Sequence, residues 1–173
     1  MDEVVVAPVG SVIGVSWART LALFAWLAAY PSTTIAGTSV LPPDAEQALA
    51  QPGVLTLYSL EPTIRPEPAG QSLDGFAVLG KTTLSATQTL RATAAFRLAM
   101  KRKGLSALCF LPRHAISIAS NGHVFDYLLC YSCQSVEVFR DGKLIAGAHA
   151  AGSPKALNAL LRANGVPIST TSD

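Results

Sequence analysis

Asn121-Gly122 stands between two alternating apolar runs, residues 115–120 and 123–130. Asn-Gly is the strongest short hairpin signal, because the favoured two-residue turn needs positive φ at both central positions. Asp141-Gly142 repeats the signal between residues 134–139 and 144–148. The second half of the chain therefore reads as an antiparallel meander.

Helices flank it. Ser85 and Gln88 have capping-box spacing, Gly104 sits where a left-handed cap belongs, and Leu90, Ala94, Leu98 and Ala92, Phe96, Met100 repeat at helical intervals. This predicts a helix over 85–103. Ser153-Pro154 opens a last helix through Leu157, Leu160 and Leu161 to Asn164-Gly165. Residues 54–60, 76–79 and 106–110 have strand composition, and the Pro-rich run 61–70 must be a loop. A short helical stretch, 44–50, lies between Pro42-Pro43 and Pro52-Gly53. The expected fold class is α+β. It is a two-layer sandwich with a mainly antiparallel sheet of about five strands packed against two helices, preceded by an apolar leader helix.

The leader is compositionally distinct. Residues 4–43 carry one charged side chain, Arg19, and residues 20–30 are an uncharged run of 11 that is apolar throughout after Thr20. A membrane span needs about 20 such residues. The short core, the break at Pro31 and the small residues Thr34-Ile35-Ala36 have the layout of a signal peptide cut after Ala36, with a retained inner-membrane anchor as the alternative. Asp2 and Glu3 depart from the basic start of such leaders; a start near Val15 would bring Arg19 directly before the apolar core. The resulting division is 1–36 signal peptide or membrane anchor, 37–53 linker, 54–168 a single α+β domain and 169–173 a disordered tail. The chain is thus expected in the periplasm or cell envelope, touching membrane only through its leader.

With 50% hydrophobic residues and a mean hydropathy of +0.37, the chain is too apolar for disorder, and its net charge of +2 gives no reason to expect nucleic acid. Charge is nevertheless segregated. No acidic residue falls between Asp74 and Asp126, where Lys81, Arg91, Arg97, Lys101, Arg102, Lys103 and Arg113 occur. Lys101, Arg102, Lys103 and Arg113 are the candidates for contact with another protein or an anionic surface; the plainer reading is a solvated helix end, where the dipole favours cations.

All three cysteines flank the Asn121-Gly122 hairpin, as Cys109-Phe-Leu-Pro-Arg113-His114 and Cys130-Tyr-Ser-Cys133. If the turn pairs Ser120 with His123, Cys109 falls opposite Cys133 and His114 opposite Cys130, within one residue. Strict register would separate each pair onto opposite faces, so a bulge is expected, and Pro112 invites one. Three chemistries remain open. A Cys109–Cys133 disulfide closes the longer loop and would contribute about 3.5 kcal/mol, against about 2 for Cys130–Cys133; oxidation suits an exported chain. A zinc site would take Cys109, His114, Cys130 and Cys133, though extended chain separates Cys109 from His114 by roughly 16 Å. Catalysis would have His114 activate Cys130, with Arg113 holding an anionic group and Asp126, opposite Ser117, as the nearest carboxylate to orient the ring.

These residues resemble a family of small uncharacterised bacterial proteins carrying Cys-Phe-x-Pro-Arg-His followed by Cys-x-x-Cys. Tyr58-Ser59-Leu60-Glu61-Pro62, Val78-Leu79-Gly80-Lys81-Thr82, Leu157-Asn158 and Gly165-Val166-Pro167 are similar to its other segments. The resemblance implies one domain and implies no activity. The expected function is a non-catalytic binding or inhibitor-like module of the cell envelope, without a cofactor. A small enzyme or a zinc-site protein is the alternative. Whether Arg113 and His114 line a concave pocket or lie flat on the sheet discriminates between them.

Overall fold

The computed structural model describes residues 41–64, 71–100 and 106–170. The leader, the basic triplet Lys101-Arg102-Lys103 with Gly104, and most of the Pro-rich run lie outside the described residues.

The chain runs α1 (Pro43–Ala50), β1 (Leu55–Ile64), β2 (Ser72–Leu73), β3 (Phe76–Thr83), α2 (Ala86–Met100), β4 (His114–Ser120), β5 (His123–Cys130), β6 (Ser135–Arg140), β7 (Lys143–His149) and α3 (Lys155–Ala163). The strands form one antiparallel sheet in the order β2-β3-β1-β4-β5-β6-β7. The α+β class and the antiparallel sheet are as expected; among the described residues there are seven strands in place of about five, and three helices in place of two.

Each difference has a local cause. Asp74-Gly75 is a third tight turn with positive φ at both residues, like Asn121-Gly122 and Asp141-Gly142, and it folds β2 back on β3. Residues 106–110 are not a strand. Pro112 interrupts the extension of β4, and the segment lies beside the β5–β6 turn, where the Ala107 N–H donates to the Cys133 carbonyl at 2.8 Å. α1 is not part of a linker. Its Ala45, Ala48 and Leu49 are buried in the main core, and the Tyr127 hydroxyl donates to the Ala45 carbonyl.

That core lies on one face of the sheet. All three helices cover Leu55 and Leu57 of β1, Ile116 and Ile118 of β4, Phe125, Tyr127 and Leu129 of β5, and Val136 and Val138 of β6. Strand alternation sends Leu60, Phe76, Ala115 and Leu128 into a smaller cluster on the opposite face. α2 begins on the expected capping box: the Ser85 N–H donates to Gln88 Oε1 at 3.0 Å and the Gln88 N–H to Ser85 Oγ at 3.4 Å. Its buried stripe is Thr89, Ala92, Thr93, Phe96 and Ala99, whereas Leu90 and Leu98 are exposed. Two apolar repeats competed for one core, and the stripe carrying Phe96 and small residues is the one that packs.

Candidate functional site

The site is built on one row of the sheet. Gly80 of β3 pairs with Ser59 of β1, Ser59 with His114 of β4, and His114 with Leu129 of β5. Cross-strand partners share a face, so these positions lie side by side on the helix-covered face. A Cβ on Gly80 would stand 2.9 Å from Val166 and 3.1 Å from Pro167, so the bare glycine lets the segment after α3 lie directly on the row.

Over His114, that segment and the first turns of α3 close a small open pocket of about 80 Å³. His114 and Leu129 come from the sheet, and Leu111 and Arg113 from the approach to β4. Tyr131 and Ser132 come from the β5–β6 turn, Pro154 from the residue before α3, Asn158 from α3, and Ile168 and Ser169 from the segment beyond. Arg113 and His114 thus line a pocket and do not lie flat on the sheet.

His114 is buried, packs edge-on against Tyr131 at 5.9 Å, and places Nε2 2.7 Å from Asn158 Oδ1. An amide oxygen only accepts, so Nε2–H donates and Nδ1 is left as the ring's acceptor. Burial holds the imidazole down to about 4; the Asn158 bond opposes this and the Arg113 charge adds to it. The ring is neutral at physiological pH. Its Nδ1 has no protein partner among the described residues, and neither does the buried Ser59 Oγ in the adjacent strand position.

The cysteines fall elsewhere. β4 and β5 hold strict register from His114 opposite Leu129 to Ser120 opposite His123, so the expected bulge is absent and the expected hairpin register stands. Alternation then puts His114 with Leu129 on the helix side and Cys130 with Leu128 on the other. The disulfide joins Cys130 to Cys133, whose Cα atoms the turn brings to 5.2 Å, and not Cys109 to Cys133 as expected. Loop entropy measures how much a bridge stabilises, whereas local turn geometry decides which sulfurs meet. The expected neighbourhood of Cys109 and Cys133 is nonetheless real, with their sulfurs 3.4 Å apart.

The four-residue zinc set is therefore not assembled: two thiols are bonded to each other, and the imidazole donates to an amide on the opposite face. Among the described residues no group of three or more His, Cys, Asp and Glu is arranged to hold a metal. The proposed catalytic pairing of His114 with Cys130 fails on the same parity.

Asp126 does sit opposite Ser117 as expected, and for that reason faces away from His114. Burial raises its carboxyl above the usual range, against the pull of a Ser117 hydrogen bond, and Asp141 adds to the rise. Asp74 is pushed up to about 6 by burial and by Asp126. The group that orients His114 is instead Asn158, 44 residues along the chain. Of the basic residues singled out in the sequence, Lys101, Arg102 and Lys103 lie outside the described residues. Arg91 and Arg97 are exposed on α2, Lys81 stands over the Tyr58 ring at 5.8 Å, and Arg113 is in the pocket.

No protein-family model matches the chain, and neither the curated proteins nor the solved structures provide a match.

Proposed function

We propose that the domain is a binding module whose pocket takes one side-chain-sized group of a larger partner, and that it works in the cell envelope after removal of the leader. The observation that carries this reading is the pocket over His114. Arg113, His114 and Asn158 converge there beside Leu111, Tyr131 and Ile168, the mixture of few polar groups and apolar walls that recognition sites use. About 80 Å³ is well below the roughly 300 Å³ or more of sites that enclose a whole small molecule, so the pocket suits an anchoring group. A neutral His114 with its Nε2–H engaged offers hydrogen bonding without a fixed charge.

Titrating the isotope-labelled protein with acetate-, acetamide- and guanidinium-bearing fragments tests it. Saturable amide shifts should concentrate at residues 111–114, 131–132, 158 and 168–169 for at least one of these groups. Shifts spread over the surface, or none at millimolar concentration, would overturn the reading.

A further inference from the structure

We propose that Cys109, Cys133 and Cys130 form a thiol–disulfide exchange site, in which the disulfide migrates between Cys130–Cys133 and Cys109–Cys133. In this exchange Cys109 is the attacker, Cys133 the centre and Cys130 the leaving group. Cys109 is exposed and carries a free thiol, and its Sγ is 3.4 Å from Cys133 Sγ, which is bonded to Cys130. That separation is within the range of reacting atoms poised for attack.

The surroundings hold the attacker in place. On one side of Cys109, the Ala107 N–H donates to the Cys133 carbonyl at 2.8 Å and Ser106 Oγ–H to the Gln134 carbonyl at 2.9 Å. On the other side, the Leu111 N–H donates to Cys133 Sγ at 3.3 Å. The segment bearing Cys109 is thus pinned to the Cys-x-x-Cys turn on both sides of the thiol. The leaving sulfur is also supported, because the Cys133 N–H donates to Cys130 Sγ at 3.1 Å and Ser132 Oγ lies 3.4 Å from it. Hydrogen bonds of this kind favour a thiolate.

The step balances without an external oxidant. Cys109 gives its proton to solvent, its thiolate forms a bond to Cys133 Sγ, and the Cys130–Cys133 bond breaks with its electron pair on Cys130. Cys130 then takes up a proton. One disulfide and one thiol are present before and after, and the reverse attack by Cys130 restores the first state. The exchange moves the free thiol from the exposed Cys109 to Cys130, which is 1% exposed. It stands independently of what the pocket binds.

Incubating the full chain, purified without reductant, at pH 6.5 and pH 8.5, quenching with acid and mapping linked peptides after digestion at low pH tests the proposal. Both linkages should be found. Interchange after a pH jump should be about tenfold or more faster at the higher pH, because the thiolate is the attacking species. Cys130–Cys133 alone at both pH values, with Cys109 freely alkylated throughout, would overturn it. As a second reading, Cys130→Ser treated with oxidised glutathione should form the Cys109–Cys133 bridge. A folded variant that keeps two thiols, or retains glutathione on Cys109, would contradict the attack geometry.

Discussion

Burial of His114 gives the protein a group that resists protonation in the native state. Its pKa of about 4 lies below the ordinary 6.5, so between these values the unfolded chain binds a proton that the native ring refuses. Stability from this group is complete above pH 6.5 and falls as pH is lowered towards 4, by up to about 3 kcal/mol. Asp74 acts in the opposite sense. Raised to about 6, it holds a proton that the unfolded chain has lost, so its contribution is full below about pH 4 and declines as pH rises to 6. The two partly cancel in wild type, and His114→Gln separates them. Urea unfolding from pH 4 to pH 7 should show that this variant has lost the acid-side destabilisation, leaving the slope of Asp74. At this scale the register of Asp126 with Ser117 was legible from one turn, but Asp126 as the group orienting His114 was not correct, because three residues along β4 from His114 means the opposite face. Asn158 was not legible as a partner, because an amide on a helix carries no signal of which strand it will reach.

Among the elements, α2 shows where pattern and packing part. Leu90 is 67% exposed and Phe96 is completely buried, although each belongs to a helical apolar repeat. Phe96→Ala should therefore cost about 3–5 kcal/mol in chemical denaturation, whereas Leu90→Gln should change stability by less than about 0.5 kcal/mol. Equal losses would mean that the helix is rotated from the placement described. The capping box that starts α2 was readable because its two hydrogen bonds span only three residues. The turns at Asn121-Gly122 and Asp141-Gly142 were readable for the same reason, and Asp74-Gly75 carried the identical signal but sits beside a Pro-rich run that masked the two-residue β2. Residues 106–110 look like a strand by composition. Their hydrogen bonds go to the β5–β6 turn, a tertiary partner that composition does not encode.

At the scale of the whole molecule, one sheet face carries the helices, the core and the pocket, while the other carries a small apolar cluster with Asp74 and Asp126 nearby. Among the described residues no helix is long and apolar enough to cross a membrane. The export proposal rests on the near-uncharged residues 4–43. It predicts that intact-mass measurement of protein from a cell-envelope fraction finds a chain beginning near Gly37; recovery of the full-length chain from the cytosol would contradict it. The sheet, the segment after α3 and α3 itself together hold a neutral, Asn158-bound His114 inside a pocket. Nitrogen-15 chemical shifts of the His114 ring, followed from pH 8 to pH 3, report on that state. The ring should show a single neutral tautomer protonated at Nε2, titrating near pH 4, and a shifted Nε2 signal in Asn158→Ala. A ring that titrates near pH 6.5 with mixed tautomers, unchanged by Asn158→Ala, would contradict it.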